Sequence, residues 1–288
     1  IHMICQDEES SIEDIRLVIG NDGSVVFERR TSLKIMKGIN TWVLDATPNV
    51  DRWEALARNQ NLSLSLIEGS HSSLKPHHIK GIWIKSNAYR SSRLFNDDSS
   101  LNDEALGALE TVAKSLGEHT LTLDHKVTIG VGTHKKLASQ IRSALSYVNQ
   151  KSRQETTKPA LADHPLIGEL ARFDNVRIGH TGRDNSASNQ FSDCKLFVII
   201  GSPRADMRCS NADSKTLNPH YDDQLLSEDY HRENVNALEQ WFGRLRLLRR
   251  GDCKVIYAGD LAPPTTVSVQ WIQQDVFAGR PISVLATQ

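Results

Sequence analysis

The stretch Val127-Thr128-Ile129-Gly130-Val131, followed closely by a helical pattern from Lys135 to Asn149, decides the fold class. A short apolar run rich in β-branched residues predicts a buried strand, and the loop and amphipathic segment after it complete a strand–loop–helix unit. Repeated units of this kind make strands parallel and cover both faces of their sheet with helices. We therefore predict an α/β protein with a mostly parallel sheet.

The rest of the chain continues this alternation of strands and helices. Further strands are predicted at 41–44, 62–66, 79–84, 175–178, 195–200 and 255–258, and further helices at 51–59 and 104–116. Apolar runs at 15–20 and 25–28 flank Asn21-Asp22-Gly23, which predicts a β-hairpin. Residues 205–231 are polar and weakly patterned, so we predict a long loop with a short helix there, and we expect 255–258 to be the last strand.

Composition sets limits on function. The chain has 288 residues and a net charge of −1, so any nucleic-acid surface has to be a local patch, such as residues 232–254 with six Lys/Arg against three Asp/Glu. No run of 18 apolar residues exists and the first residues do not make a signal peptide, so we expect a cytoplasmic protein without a membrane span.

The four cysteines, Cys5, Cys194, Cys209 and Cys253, have neither paired spacing nor a matching histidine cluster. No metal site is predicted. Cys194 and Cys253 stand beside predicted strands, which favours core packing.

The stretch from Glu239 to Arg250 places a glutamine, a glycine and arginines on a helix with an apolar stripe. The stripe predicts one buried face, formed by Val235, Leu238, Trp241 or Phe242, Leu245 and Leu248. Gln240 and Arg244 share another face, and Gly243 allows a close backbone approach or a break. Arginine suits phosphate recognition and stabilises a phosphoryl group during its transfer. A solvated basic helix end is the alternative.

This segment resembles motif VI of superfamily 2 helicases, the arginine-finger motif. Its nearest likeness is to helicases of phage and plasmid replication, in which Gln-x-x-Gly-Arg-x-Arg precedes a strand and a Pro-containing loop. In the expected order, Trp42-Val43-Leu44-Asp45-Ala46-Thr47-Pro48 looks like motif III, and the segment from His180 to Asp193 looks like motif V. The resemblance covers about residues 36–264.

The resemblance implies a RecA-like fold and the C-terminal lobe of an ATP-dependent nucleic-acid helicase or translocase. Residues 1–60 would be the tail of the first motor lobe, 61–265 the second lobe, and 266–288 a C-terminal extension. ATP and Mg²⁺ would be held mainly by a first lobe upstream in the full-length chain. The partner would be DNA or RNA, single-stranded or forked.

The resemblance also implies roles for individual residues. Arg244 and Arg246 would contact the γ-phosphate or its transition state, and Gln240 would sense the nucleotide or orient the arginines. These three residues form the catalytic group. The nucleotide-binding group consists of Gly243, Asp45, Thr47 and Gly182. The nucleic-acid group consists of Ser188 and Asn189 in the motif V segment, with Thr133 and Arg204, which follow predicted strands where such sheets bind ligands.

The chain also departs from a complete helicase motor. A motor needs a Gly-rich phosphate loop ending in Lys-Ser/Thr and a Mg²⁺-binding acidic pair. The segment Gly130–Lys136 lacks the loop's spacing, Asp97-Asp98 lies in polar surroundings, and the commoner motif VI carries its second arginine one residue after Arg246. One alternative is a non-catalytic nucleic-acid-binding or adaptor module. Another is an unrelated nucleotide-binding enzyme that uses the 130–136 loop.

Overall fold

The structure is a computed structural model that describes residues 15–19, 25–29, 50–59, 65, 79–149, 157–181, 190–204, 207–218, 220–244, 252–263, 269–277 and 280–283. Its strands are β1 (Ile15–Ile19), β2 (Val25–Arg29), β3 (Ile79–Lys85), β4 (Thr128–Thr133), β5 (Asn175–His180), β6 (Leu196–Ile200), β7 (Lys254–Gly259), β8 (Val269–Phe277) and β9 (Arg280–Ser283). Its helices are α1 (Val50–Asn59), α2 (Ser91–Leu94), α3 (Asp103–Thr120), α4 (Lys135–Asn149), α5 (Pro165–Leu170), α6 (Met207–Leu217) and α7 (Asp223–Arg244).

The described residues group into two compact units. Unit 1 takes those of Ile1–Gly69 and Ala205–Glu233, and unit 2 takes those of Ser70–Arg204 and Asn234–Gln288. Helix α7 contributes residues to both units. The predicted lobe boundaries concern the division of a longer motor and remain predictions.

Unit 2 is built on a seven-stranded sheet with the order β5-β4-β6-β7-β3-β8-β9. The first six strands in this order are parallel and β9 alone is antiparallel, with Val131 opposite Val198 and Ile82 opposite Ile256 in the ladder. The predicted fold class, a mostly parallel α/β sheet of the RecA-like type, is confirmed.

Helices cover both faces of this sheet. On one face, side chains such as Val131, Val198 and Ile256 pack with the buried residues of α3, α4 and α5. On the other face, Phe197 and Tyr257 pack with Leu238, Trp241 and Phe242 of α7. Because side chains alternate along a strand, β6 is buried on both faces, as predicted for a central parallel strand.

The glycines of β4 make room for aromatic rings. A Cβ on Gly130 would lie 2.4 Å from Cδ2 of Phe197, and a Cβ on Gly132 would lie 3.1 Å from a ring atom of Trp241. Residues 130–133 are strand residues, so the segment 130–136 is not the Gly-rich loop that we expected.

Residues 205–231 are more helical than predicted. Helix α6 and the first part of α7 lie where we expected a long loop. Some of their buried contacts are polar, since Ser214 Oγ donates to Asp229 at 2.5 Å and Ser210 donates to Glu233. A helix pair joined by serines and carboxylates has only a weak apolar stripe, which explains the error.

The strand at 255–258 is not the last one. Strand β8 pairs with β3, and β9 pairs with β8, so the segment after residue 265 completes the sheet. Alternating polar residues in Val269-Gln270-Trp271-Ile272-Gln273-Gln274 weaken the signal of this strand.

The other predicted elements divide into confirmed ones and ones outside the described residues. Strands β1 and β2 pair antiparallel as the hairpin requires, and α1, α3, α4, β3 and β5 match their predictions. The turn at 21–23, the strand at 41–44 and all of 62–66 except residue 65 lie outside the described part. Cys194 and Cys253 are buried as expected, Cys209 is exposed, and Cys5 lies outside.

Two properties concern the described residues alone. None of their helices is long and apolar enough to cross a bilayer. They also contain no group of three or more metal-ligating side chains.

Gly130→Ala should destabilise the protein by about 1–3 kcal/mol, because its methyl group would overlap the Phe197 ring. Gly107→Ala is the matched control, since a Cβ there meets no atom within 4 Å and alanine favours the helix by about 0.5–1 kcal/mol. Urea unfolding followed by circular dichroism measures both. Equal effects of the two substitutions would contradict this packing.

Candidate functional site

The C-terminal turns of α7 separate a buried face from a partly exposed one. Leu238, Trp241 and Phe242 are buried, whereas Gln240 and Arg244 are partly exposed. Gln240 and Arg244 are four residues apart and therefore share a face, as predicted.

Gly243 does not interrupt the helix. It is exposed, α7 continues through it to Arg244, and a Cβ on it would meet no atom within 4 Å.

Trp241 joins the end of α7 to both ends of the 180–193 segment. Its Nε1 donates to Thr181 Oγ1 at 3.4 Å, and its ring centroid lies 5.7 Å from that of Phe191. Phe191 in turn packs against Phe197 of β6 in a tilted arrangement, with ring centroids 4.9 Å apart. The segments that resemble motifs V and VI therefore meet on one buried aromatic cluster.

Asp45, Thr47, Gly182, Ser188, Asn189 and Arg246 lie outside the described residues. Their roles remain predictions.

A second group of polar side chains gathers at the carboxyl ends of three adjacent strands. Asp260 follows β7, and the neighbouring strands β6 and β3 lead to Arg204 and Arg90. Arg90 Nε donates to Asp260 Oδ2 at 2.6 Å, and Arg204 Nη2 donates to the same oxygen at 2.5 Å. Ser202 Oγ donates to Oδ1 of Asp260 at 2.8 Å. We call Arg90, Ser202, Arg204, Tyr257 and Asp260 the Asp260 cluster.

Ser202 is the buried centre of this cluster. Its Oγ lies 2.7 Å from the Tyr257 hydroxyl and accepts the backbone N–H groups of Asp260 at 3.1 Å and Leu261 at 3.2 Å. Since Ser202 gives its own proton to Asp260, the Tyr257 hydroxyl is the donor in their contact. Burial raises the pKa of Tyr257, so this donor keeps its proton. These hydrogen bonds hold the carboxylate of Asp260 in a defined position.

Asp260 is ionised at neutral pH. Burial of its carboxyl raises the pKa, but the hydrogen bonds from Ser202 and Arg90 and the charge and hydrogen bond of Arg204 outweigh burial, so the pKa lies below its ordinary value. One carboxylate therefore faces two guanidinium groups, and the cluster carries a net positive charge.

His134 packs beside this cluster as a neutral residue. Burial lowers its pKa, and this effect exceeds the opposing effects of the Tyr89 carbonyl and of Asp260. Its Nε2 lies 3.2 Å from the carbonyl oxygen of Tyr89, which can only accept, so we assign the proton to Nε2. Gly201 has φ +92°, and a Cβ there would lie 2.2 Å from His134 Nε2, so glycine is required.

The structure gives Thr133 and Arg204 different environments. Thr133 is buried and its Oγ1 donates to the Ile200 carbonyl at 2.7 Å, so its hydroxyl links β4 to β6 and is not presented to solvent. Arg204 is partly exposed and belongs to the Asp260 cluster.

Sequence reasoning missed Arg90 and Asp260. Both come shortly after predicted strands, at 79–84 and 255–258. The rule that ligands bind at the carboxyl ends of parallel strands is the signal that could have found both.

Comparison with known proteins does not assign the chain to a family. No model of a known protein family matches the chain, and no curated protein sequence matches it significantly.

Asp260→Asn should lower the free energy of unfolding at pH 7 by about 1–3 kcal/mol, because charge-assisted hydrogen bonds are lost. A lowered carboxyl pKa stabilises the fold above the ordinary value of 3.8, and this contribution disappears as the pH falls below it. The difference between variant and wild type should therefore shrink in acid, as measured by urea unfolding at several pH values. Asp163→Asn, at an exposed ion pair with Lys158, is the control and should change little. A difference that does not vary with pH would argue against an ionised Asp260.

Proposed function

We propose that this chain is the C-terminal lobe of an ATP-dependent nucleic-acid helicase or translocase. The carrying observation is the meeting of the α7 end with both ends of the 180–193 segment on Trp241. The RecA-like sheet and the order of the three helicase-like motifs also support the proposal. In such a motor, these two segments form the surface that responds to nucleotide and to the nucleic-acid strand.

The proposal gives α7 the catalytic contribution of this lobe. The buried residues Leu238, Trp241 and Phe242 hold the helix against the sheet. Gln240 and Arg244 project from its partly exposed face. A guanidinium group on a rigid helix stabilises the charge of a transferring phosphoryl group without reorganisation. Arg246 would be the second arginine of the motif.

The proposal assigns ATP and Mg²⁺ mainly to a first lobe upstream in the full-length protein. Asp260 is engaged by two arginines, which makes it a poor ligand for Mg²⁺. The nucleic acid, DNA or RNA, would be held through its backbone, with little dependence on base sequence. Arg204 is the described residue of the predicted nucleic-acid group that is partly exposed.

In the full-length protein, Arg244→Ala should reduce ATP turnover by about three to five orders of magnitude if Arg244 acts as an arginine finger. The melting temperature should stay nearly unchanged, because the side chain is not part of the buried core. Arg172→Ala, at an exposed pair with Glu169, is the control and should retain wild-type turnover. The assay is steady-state phosphate release in the presence of single-stranded nucleic acid.

Two results would contradict this proposal. Normal turnover of Arg244→Ala together with early melting would make Arg244 a structural residue. A full-length protein that binds nucleic acid without hydrolysing ATP would favour the non-catalytic adaptor alternative.

Binding of a single-stranded oligonucleotide to this chain should be weak and should fall steeply with salt. The net charge of −1 leaves only local basic patches, and each neutralised phosphate releases counterions. For three or four phosphate contacts, the affinity should fall about tenfold to a hundredfold between 50 and 200 mM salt in fluorescence anisotropy. Tight binding that ignores salt would indicate a base-reading module instead.

A further inference from the structure

We propose that Arg90 and Arg204 form a binding site for one phosphate group at the carboxyl ends of β3, β6 and β7, with Asp260 as the positioning residue. A polynucleotide backbone as the source of that phosphate rests on the proposed function and deepens it. The proposed site does not include Gln240 and Arg244 of α7.

The topology of the sheet favours a ligand at this place. Asp260 follows the middle strand of three neighbours, and each flanking strand supplies one arginine. Strands β4 and β6 are neighbours in the sheet, and α4, which follows β4, packs on one face, whereas α7, which comes after β6, packs on the other. The change of face therefore lies between β4 and β6, next to the strand that leads to Arg204. Where chain connections leave adjacent strands toward opposite faces, a crevice opens at the carboxyl ends and takes ligands.

The geometry places two guanidinium groups side by side. Both contact the same oxygen of Asp260, at 2.6 Å from Arg90 Nε and 2.5 Å from Arg204 Nη2. The side chains of Arg90 and Arg204 are 38% and 25% exposed, whereas that of Asp260 is only 6% exposed. The carboxylate therefore lies beneath the arginines, and the arginines are the groups that a ligand from solvent meets.

Arg90 has unused hydrogen-bonding capacity. A guanidinium group carries five N–H donors, and Arg90 uses its Nε–H on Asp260. Among the described residues, its two terminal nitrogens have no hydrogen-bond partner, which leaves four N–H donors for a ligand. This fork matches the oxygens of a phosphate group, which it binds through two parallel hydrogen bonds.

The net charge of the Asp260 cluster makes the site selective for anions. Two guanidinium groups this close would repel each other, and the ionised carboxylate between them offsets that repulsion and holds both in place. The remaining positive charge attracts an anion and disfavours a cation. Ser202 and Tyr257 keep Asp260 fixed, so the arginine pair is organised before a ligand arrives.

The experiment measures binding of three probes to the purified chain. The probes are a fluorescein-labelled single-stranded oligonucleotide of about 20 nucleotides, ATP and inorganic pyrophosphate, followed by anisotropy and by calorimetry. Arg90→Ala should weaken binding of the probe that uses the site by about tenfold to a hundredfold, the worth of a charge-assisted pair of hydrogen bonds. Arg204→Lys and Arg90→Lys should also weaken it, because lysine keeps the charge and lacks the fork.

Arg93→Ala is the matched control, since Arg93 is exposed on α2 three residues from Arg90 and outside the Asp260 cluster. It should change affinity less than about threefold. Circular dichroism of each variant checks the fold, and Arg90→Lys keeps a cation beside Asp260 should Arg90→Ala fail to fold. Loss confined to the oligonucleotide identifies a polynucleotide backbone as the source, and loss of ATP binding identifies a free nucleotide.

Three results would overturn the inference. These are unchanged binding of every probe by the Arg90 and Arg204 variants, an equal loss in Arg93→Ala, and no binding of any probe by the wild-type chain. Each leaves the proposed function standing, because that is tested by ATP turnover of the full-length protein with Arg244 replaced.

Discussion

Burial of β6 on both faces is the constraint on which the rest of unit 2 depends. A strand that reads Leu196-Phe197-Val198-Ile199-Ile200 has no polar side to give to water, so both of its faces have to be covered. Val198 packs toward α3 and α4, and Phe197 packs toward Trp241 of α7. Gly130 and Gly132 in the adjacent strand leave the space that these rings fill. The cover of both faces by helices and the position of the end of α7 follow from this packing.

The same central position sets the electrostatics at the carboxyl edge. Buried strands end together, so the polar residues after them meet in a place where water is scarce and unpaired charge is costly. Asp260 is tolerated there because Ser202 and two guanidinium groups hydrogen-bond to it. Arg90 and Arg204 have a defined geometry, although both side chains are partly exposed, because each of them donates a hydrogen bond to Asp260. Fixing a guanidinium group before its ligand arrives reduces the entropy lost on binding.

The sequence predicted the helices and strands whose buried side chains are apolar, and it missed elements with polar buried or interrupting residues. Helix α4 begins and ends at its predicted residues, because apolar side chains recur regularly along it and polar segments bound it. Helix α6 and the first half of α7 were missed because Ser214 and Asp229 occupy positions that a hydrophobic pattern reserves for apolar residues. Strand β8 was missed for a related reason, since its glutamines interrupt the apolar run. A hydrogen-bonded interface has no periodic signature in the sequence.

The end of α7 and the Asp260 cluster also differ in how far the sequence alone predicts them. Gln240 and Arg244 were found because four residues along one helix determine a shared face without knowledge of the fold. Arg90 and Asp260 are separated by 170 residues, and Ser202 stands 58 residues from Asp260, so their meeting depends on the sheet order. Strand lengths and loops do not reveal that β7 lies between β6 and β3, since β3 is the first strand of this sheet in the chain and β7 the fifth. The carboxyl-end rule reduces the candidates to the residues that follow strands, and strand order then decides which of them share one oxygen atom.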